Sequence, residues 1–260
     1  MPFYGLLIYI LVMAVIHSFR LLPETRVEVF NDAVITGACL LGAVNFYRVS
    51  TFFIQQDAAK RIWILACMAL SCHGVGHLLY STTTFFSNEI TSFFSAPDIF
   101  ITLGEFIWLG CFGLYHHHLV QNEFVDCNNY KSIGNIIALF LAALFILLNF
   151  YPILIIGADP IWKKLIFLIY PLLDVVIAYF CVHLALAFFS MGRSPLSKPC
   201  SMLVCAYALF LITDSMYSYY DMHDLYHPYL WINIGWGLGY LLVSHASYLQ
   251  LKLMKQMETS

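Results

Sequence analysis

The feature that most constrains this 260-residue chain is a succession of about eight apolar stretches, each about 20 residues long, joined by short polar connectors. A helix needs about 20 mostly apolar residues to cross the roughly 30 Å hydrocarbon core of a bilayer. Inside lipid every backbone polar group must be paired within the protein, which leaves helices and closed barrels as the spanning structures. The alternating ten-residue strands of a barrel are not found here. The pattern predicts an all-α, polytopic membrane helix bundle of about eight transmembrane helices, forming a single integral-membrane domain over 1–260. Composition agrees, since 61% apolar and 10% charged residues with a mean hydropathy of +0.79 do not suit a water-soluble domain. The formal charge of -3 comes without a basic patch, so membrane lipid is an expected partner and nucleic acid is not.

Taken in order, the runs predict helices near 3–22, 32–53, 62–85, 98–119, 133–156, from 159 onward, 200–220 and 229–251. Pro97 and Asp98 form a start signal: proline's missing N–H is not needed in a first turn, and a carboxylate there faces the positive end of the helix dipole. Asp159 and Pro160 repeat that signal for the sixth helix, where Pro171 predicts a kink beside Asp174. The first run has neither a basic leader nor a small-residue cleavage site and reads as a retained helix. Six of the eight cysteines fall inside apolar runs and read as buried small hydrophobes. Lysine and arginine set the orientation. Arg48, Lys60, Arg61, Lys131, Arg193, Lys198, Lys252 and Lys255 fall on one side of such a bundle, against Arg20, Arg26, Lys163 and Lys164 on the other. Both termini are therefore expected in the cytoplasm.

The two halves of the chain, 3–119 and 133–251, look like copies. Gly76 to Ser81, GHLLYS, aligns with Thr213 to Ser218, TDSMYS; Asp98 to Glu105, DIFITLGE, aligns with Asn233 to Tyr240, NIGWGLGY; and Asp32-Ala-Val-Ile resembles Asp174-Val-Val-Ile. Four helices is an even number, so this 4+4 repeat would place both copies in the same orientation. It would make His77 and Asp214 counterparts, and likewise Tyr80 and Tyr217, Glu105 and Tyr240, and Asp98 and Asn233. An ionised residue at membrane depth costs roughly 2.5–3.5 kcal/mol or more, so such groups need partners, a cavity or a purpose. His77, Asp98, Glu105, Asp174, Asp214, Tyr217 and Tyr240 are accordingly the candidates for a ligand or proton site in a polar, outward-opening cleft. The ordinary alternative is hydrogen-bonding between helices.

Other motifs carry less. His73 and His77 have a spacing that can serve a metal or, with His183, a haem, but no second HxxxH accompanies them. No metal and no cofactor is therefore assigned. His116 to His118 and Met216 to Tyr220 resemble fragments of the fatty-acid elongase boxes, yet the leading histidines and the spacing are missing. No lysine is placed for a retinal Schiff base, and no GxSxG occurs.

RIWILACMAL leading to GHLLYS, APDIFITLGEFIWLGCFGL, LIYPLLDVVIAYF, LITDSMYSYY and WINIGWGLGYLLVSHASY follow the order and pattern of a known region. From about Ala33 to Gln250 the chain resembles the eight-helix membrane sensory region at the N-terminus of bacterial diguanylate cyclases and related signalling proteins. His77 stands where that family tends to have aspartate, as does Asn233, and the cyclase or kinase output is expected from a partner in trans or from sequence beyond Ser260. The resemblance implies a bacterial inner-membrane sensor that signals to a cytoplasmic protein in trans, and a non-enzymatic role is favoured over catalysis. The rival is a membrane lipid hydrolase resembling the lysoplasmalogenases, with Asp98, Asp174 and Asp214 doing acid–base work. A third reading is a haem-binding membrane protein through His77 and His183.

Overall fold

A computed structural model of the chain describes residues 2–88, 95–121, 127–150, 153–154, 161–190, 197–223, 225–228 and 231–259. Among them are eight α-helices and no strands: α1 (Pro2–Phe19), α2 (Glu24–Ser50), α3 (Ala58–Ser87), α4 (Ala96–Gln121), α5 (Cys127–Phe145), α6 (Ile161–Ser190), α7 (Ser197–Met222) and α8 (Trp231–Thr259). A π-helical turn, Ile146–Phe150, extends α5 and buries Asn149, whose amide donates to Ser215 Oγ at 2.9 Å. Six helices, α2 to α7, are long and apolar enough to cross a membrane, which makes this an integral membrane protein. In α1 the apolar stretch that qualifies is shorter, Leu7–Phe19. In α8, Asn233, His245 and Gln250 interrupt the apolar run.

Two boundaries depart from expectation by eight residues: α8 runs on to Thr259 instead of ending near 251, and α2 starts at Glu24 instead of near residue 32. Pro23 occupies the N-cap with an extended ψ of 151°, and Glu24 sits in the first turn, where the helix dipole favours an acid. The segment that reads as a polar connector is therefore two helical turns. At α4 the proline–acid start is found as expected, with the Asp98 carboxylate accepting from the Ser95 N–H at 2.7 Å and the Ser95 hydroxyl at 3.0 Å. The helix α3 stops where Asn88 takes a left-handed conformation, φ 56°, and its N–H caps the Thr84 carbonyl. Helical structure continues through Pro171. The start expected at Asp159 and Pro160 lies outside the described residues.

Six helices close into a ring in which each packs on the next, in the order α2, α3, α4, α6, α7, α8 and back to α2. The α1 helix rests outside this ring on α8 and α5 rests on α6. One apolar core runs through all six ring helices; Phe46, Trp63, Trp108, Phe112 and Tyr207 contribute stacked and edge-to-face rings to it. The outer surface stays apolar: Ile136, Leu139 and Phe140 of α5 are all more than 60% exposed, as suits a helix side turned to lipid.

Candidate functional site

Polar residues recur on the inner faces of the ring helices at helical spacing. Glu28 and Asp32 are four apart on α2, as are His73 and His77 on α3. Asp98 and Glu105 are seven apart on α4; Asp214, Tyr217 and Asp221 follow one another on α7, and Asn233, Trp236 and Tyr240 on α8. Because helices consecutive in the chain run in opposite directions, these positions meet at one end of the bundle, the end where α3 connects to α4 and α7 to α8. All of them but His73 line a cavity of about 230 Å³.

Three polar clusters form its wall. In the first, His77 Nδ1 lies 2.8 Å from Asp32 Oδ1, with both side chains about nine-tenths buried. Glu28 stands beside this pair, approached by the Tyr226 hydroxyl at 3.3 and 3.4 Å, and that hydroxyl also lies 3.1 Å from Asn233 Oδ1. Tyr226 sits outside the spans, between α7 and α8; burial, reinforced by the Glu28 charge, pushes its hydroxyl well above the ordinary tyrosine range, so it stays a proton donor.

In the second cluster, Asp98 is joined by Tyr170, whose hydroxyl lies 3.3 Å from Oδ1 and accepts from Thr102 at 3.0 Å. In the third, the Trp236 indole N–H donates to Asp214, and Asp174 stands close beside Asp214. Next to this pair, His73 is gripped on both ring nitrogens: Nδ1 lies 2.8 Å from the Tyr240 hydroxyl and Nε2 3.2 Å from Glu105 Oε1. The latter contact is an ion-pair distance without hydrogen-bond alignment.

Six of the seven candidate residues, His77, Asp98, Glu105, Asp214, Tyr217 and Tyr240, line this one cavity. Asp174 stands behind its wall, against Asp214. His183 is elsewhere: its ring packs on His116 at 5.6 Å and on Tyr179 at 4.5 Å, at the opposite end of the bundle. Since His77 is level with the start of α4 and His116 near its end, His77 and His183 are separated by about 20 Å along the bundle. Among the described residues no group of three His, Cys, Asp or Glu side chains could hold a metal ion.

Sequence reasoning missed Glu28, Asp32, Asp221, Tyr226 and Trp236 as site residues. For Glu28 and Asp32 a signal exists, two acids four apart, but it is readable only if α2 reaches back to Glu24. Tyr226 lies in a connector, where no periodicity applies. Compared with known proteins, the chain matches no family model, no curated protein and no solved structure.

Proposed function

We propose that this chain is a membrane sensor or receptor module that binds a small ligand in the cavity and signals through α8 to a cytoplasmic partner. The observation that carries the reading is the cavity itself: six carboxylates, from Glu28, Asp32, Asp98, Glu105, Asp214 and Asp221, surround it without a lysine or arginine in the lining. So many acids at the end of an apolar bundle exceed what holding helices together requires. Output is supplied by α8. It carries Asn233, Trp236 and Tyr240 into the cavity and continues as one helix to Thr259, a rod of about 43 Å. A change in the cavity that shifts or turns α8 is delivered at its far end.

In this proposal α1 and α8 also cross the membrane, giving eight spans with both termini in the cytoplasm, and α2–α4 and α6–α8 are two copies of one unit. Equivalent contacts support the repeat. Asp32 pairs with His77 as Asp174 does with Asp214; Glu105 contacts His73 as Tyr240 contacts Phe210; and Gly104 abuts His73 as Gly239 abuts Phe210. The ring order has the same two-fold pattern, since α4 meets α6 as α8 meets α2. The resemblance to the sensory region of diguanylate cyclases belongs to the same reading and suggests a bacterial inner membrane. A fusion tests it: with a diguanylate cyclase domain joined after Ser260, cyclic dinucleotide output should change in Asp214→Asn and Glu105→Gln and stay unchanged in the outward-facing Leu139→Ala. Turnover of lysolipids by the purified chain, lost in Asp214→Asn, would instead establish the hydrolase reading and overturn this one.

A further inference from the structure

We infer that the cavity takes a small organic cation, an ammonium compound of about eight non-hydrogen atoms. This deepens the receptor reading and rests on the cavity being its ligand site. The size follows from 230 Å³, which equals about eight times the share of liquid volume taken by one water.

The charge follows from the lining and from one unspent group. Glu105 is 8% exposed and lines the cavity; its Oε1 faces His73, while its Oε2 is buried without a hydrogen-bond partner. A buried carboxylate oxygen left unpaired is costly. A positive charge in the cavity compensates the Glu105 carboxylate through space. An anion would meet a lining of six acidic side chains with no lysine or arginine, and a neutral ligand would gain no charge attraction from them.

The wall distinguishes an organic cation from a metal ion. The acids come from α2, α4 and α7 and stand apart around the space, and among the described residues no three donors converge on a point. Between them stand aromatic rings: Trp236 lies tilted against Tyr217 at 5.2 Å and Tyr217 edge-to-face against Tyr226 at 5.0 Å, and all three line the cavity. Spread carboxylates alternating with ring faces suit a cation whose charge extends over several atoms, through cation–π contact and long-range attraction together.

The test is calorimetric titration of the full chain in detergent micelles with choline, ethanolamine and putrescine, and with neohexanol, which has choline's shape without its charge. At least one cation should bind saturably at one per chain, at least tenfold tighter than neohexanol. Glu105→Gln should weaken that binding about tenfold or more, the scale of one lost short-range attraction between opposite charges. Asp221→Asn, at the end of α7 where folding is less at risk, should weaken it several-fold, with circular dichroism verifying that both variants are folded. Equal binding of neohexanol, or tighter binding of magnesium or calcium that excludes the amines, overturns the organic cation and leaves the receptor reading intact. A folded protein that binds none of the three amines overturns it too. Lysolipid turnover dependent on Asp214 overturns the receptor reading alone, because amine binding is measured independently of it.

Discussion

The contact between Asp32 and His77 gives the sharpest test of how the cavity is held. At 2.8 Å and about nine-tenths buried on both sides, it has the geometry of a charge-assisted hydrogen bond in a low-dielectric setting. Two magnitudes compete. Hydrogen bonds between membrane helices average about 0.6 kcal/mol, whereas removing one partner of a buried ion pair costs about 3–5 kcal/mol because a charge is left uncompensated. The surroundings favour the larger value, since Asp32 lies beside Glu28 in the cavity wall and loses its buried hydrogen-bond partner when His77 goes. His77→Leu should therefore destabilise by about 3 kcal/mol or more. Asp32→Leu leaves only a histidine that can be neutral, and should cost about 1–3 kcal/mol. The double variant removes both needs, so it should be more stable than His77→Leu alone. The assay is equilibrium unfolding in detergent, followed by labelling of Cys39, which is fully buried on the same helix, with the other cysteines replaced by alanine. A double variant less stable than His77→Leu, or single effects that add within about 0.5 kcal/mol, would refute the reasoning.

Other positions yield separate tests. A Cβ at Gly104 would come within 2.8 Å of the His73 ring and 3.1 Å of the Ala69 carbonyl; overpacking of about 1–3 kcal/mol should exceed the helix-propensity gain of about 1 kcal/mol, so Gly104→Ala lowers thermal stability. Gly37 has nothing within 4 Å of the same position, and Gly37→Ala should raise stability by up to about 1 kcal/mol; a reversed order of these two melting temperatures contradicts the packing described. The Tyr9 hydroxyl donates to Asn31 Oδ1 at 2.6 Å and docks α1 on the ring, so Tyr9→Phe should cost about 1–2 kcal/mol and hasten proteolysis of α1. Tyr226 has a raised hydroxyl pKa in the folded state, so the unfolded state loses its proton first: its stabilising effect is complete below about pH 10 and falls as pH rises further. Tyr226→Phe should flatten the alkaline loss of stability, and a spectrophotometric titration should show one tyrosine fewer resisting ionisation.

What was legible in the sequence and what was not divide along a physical line. Hydropathy acts residue by residue, so apolar runs, the all-helical class and the membrane setting need only the chain itself. Helical spacing is equally local: it puts Asp98 with Glu105 on one face, and the proline–acid signal at Pro97 and Asp98 starts α4 where it was expected. The cost of acids at depth, together with the repeat alignment, singled out His77, Asp98, Glu105, Asp214, Tyr217 and Tyr240, which do line one cavity. Packing is not local. Glu28 reads as part of a connector until α2 is seen to begin at Glu24, and Asp32 as a helix start until His77 of another helix is found 2.8 Å away. Histidines 77 and 183 both lie in apolar runs and could be joined through one haem, but helix order puts them at opposite ends of the bundle. Only the closure of six helices into a ring turns separate costly acids into one enclosed space, because a cavity is a property of the distances between helices, and those are set by side chains far apart along the chain.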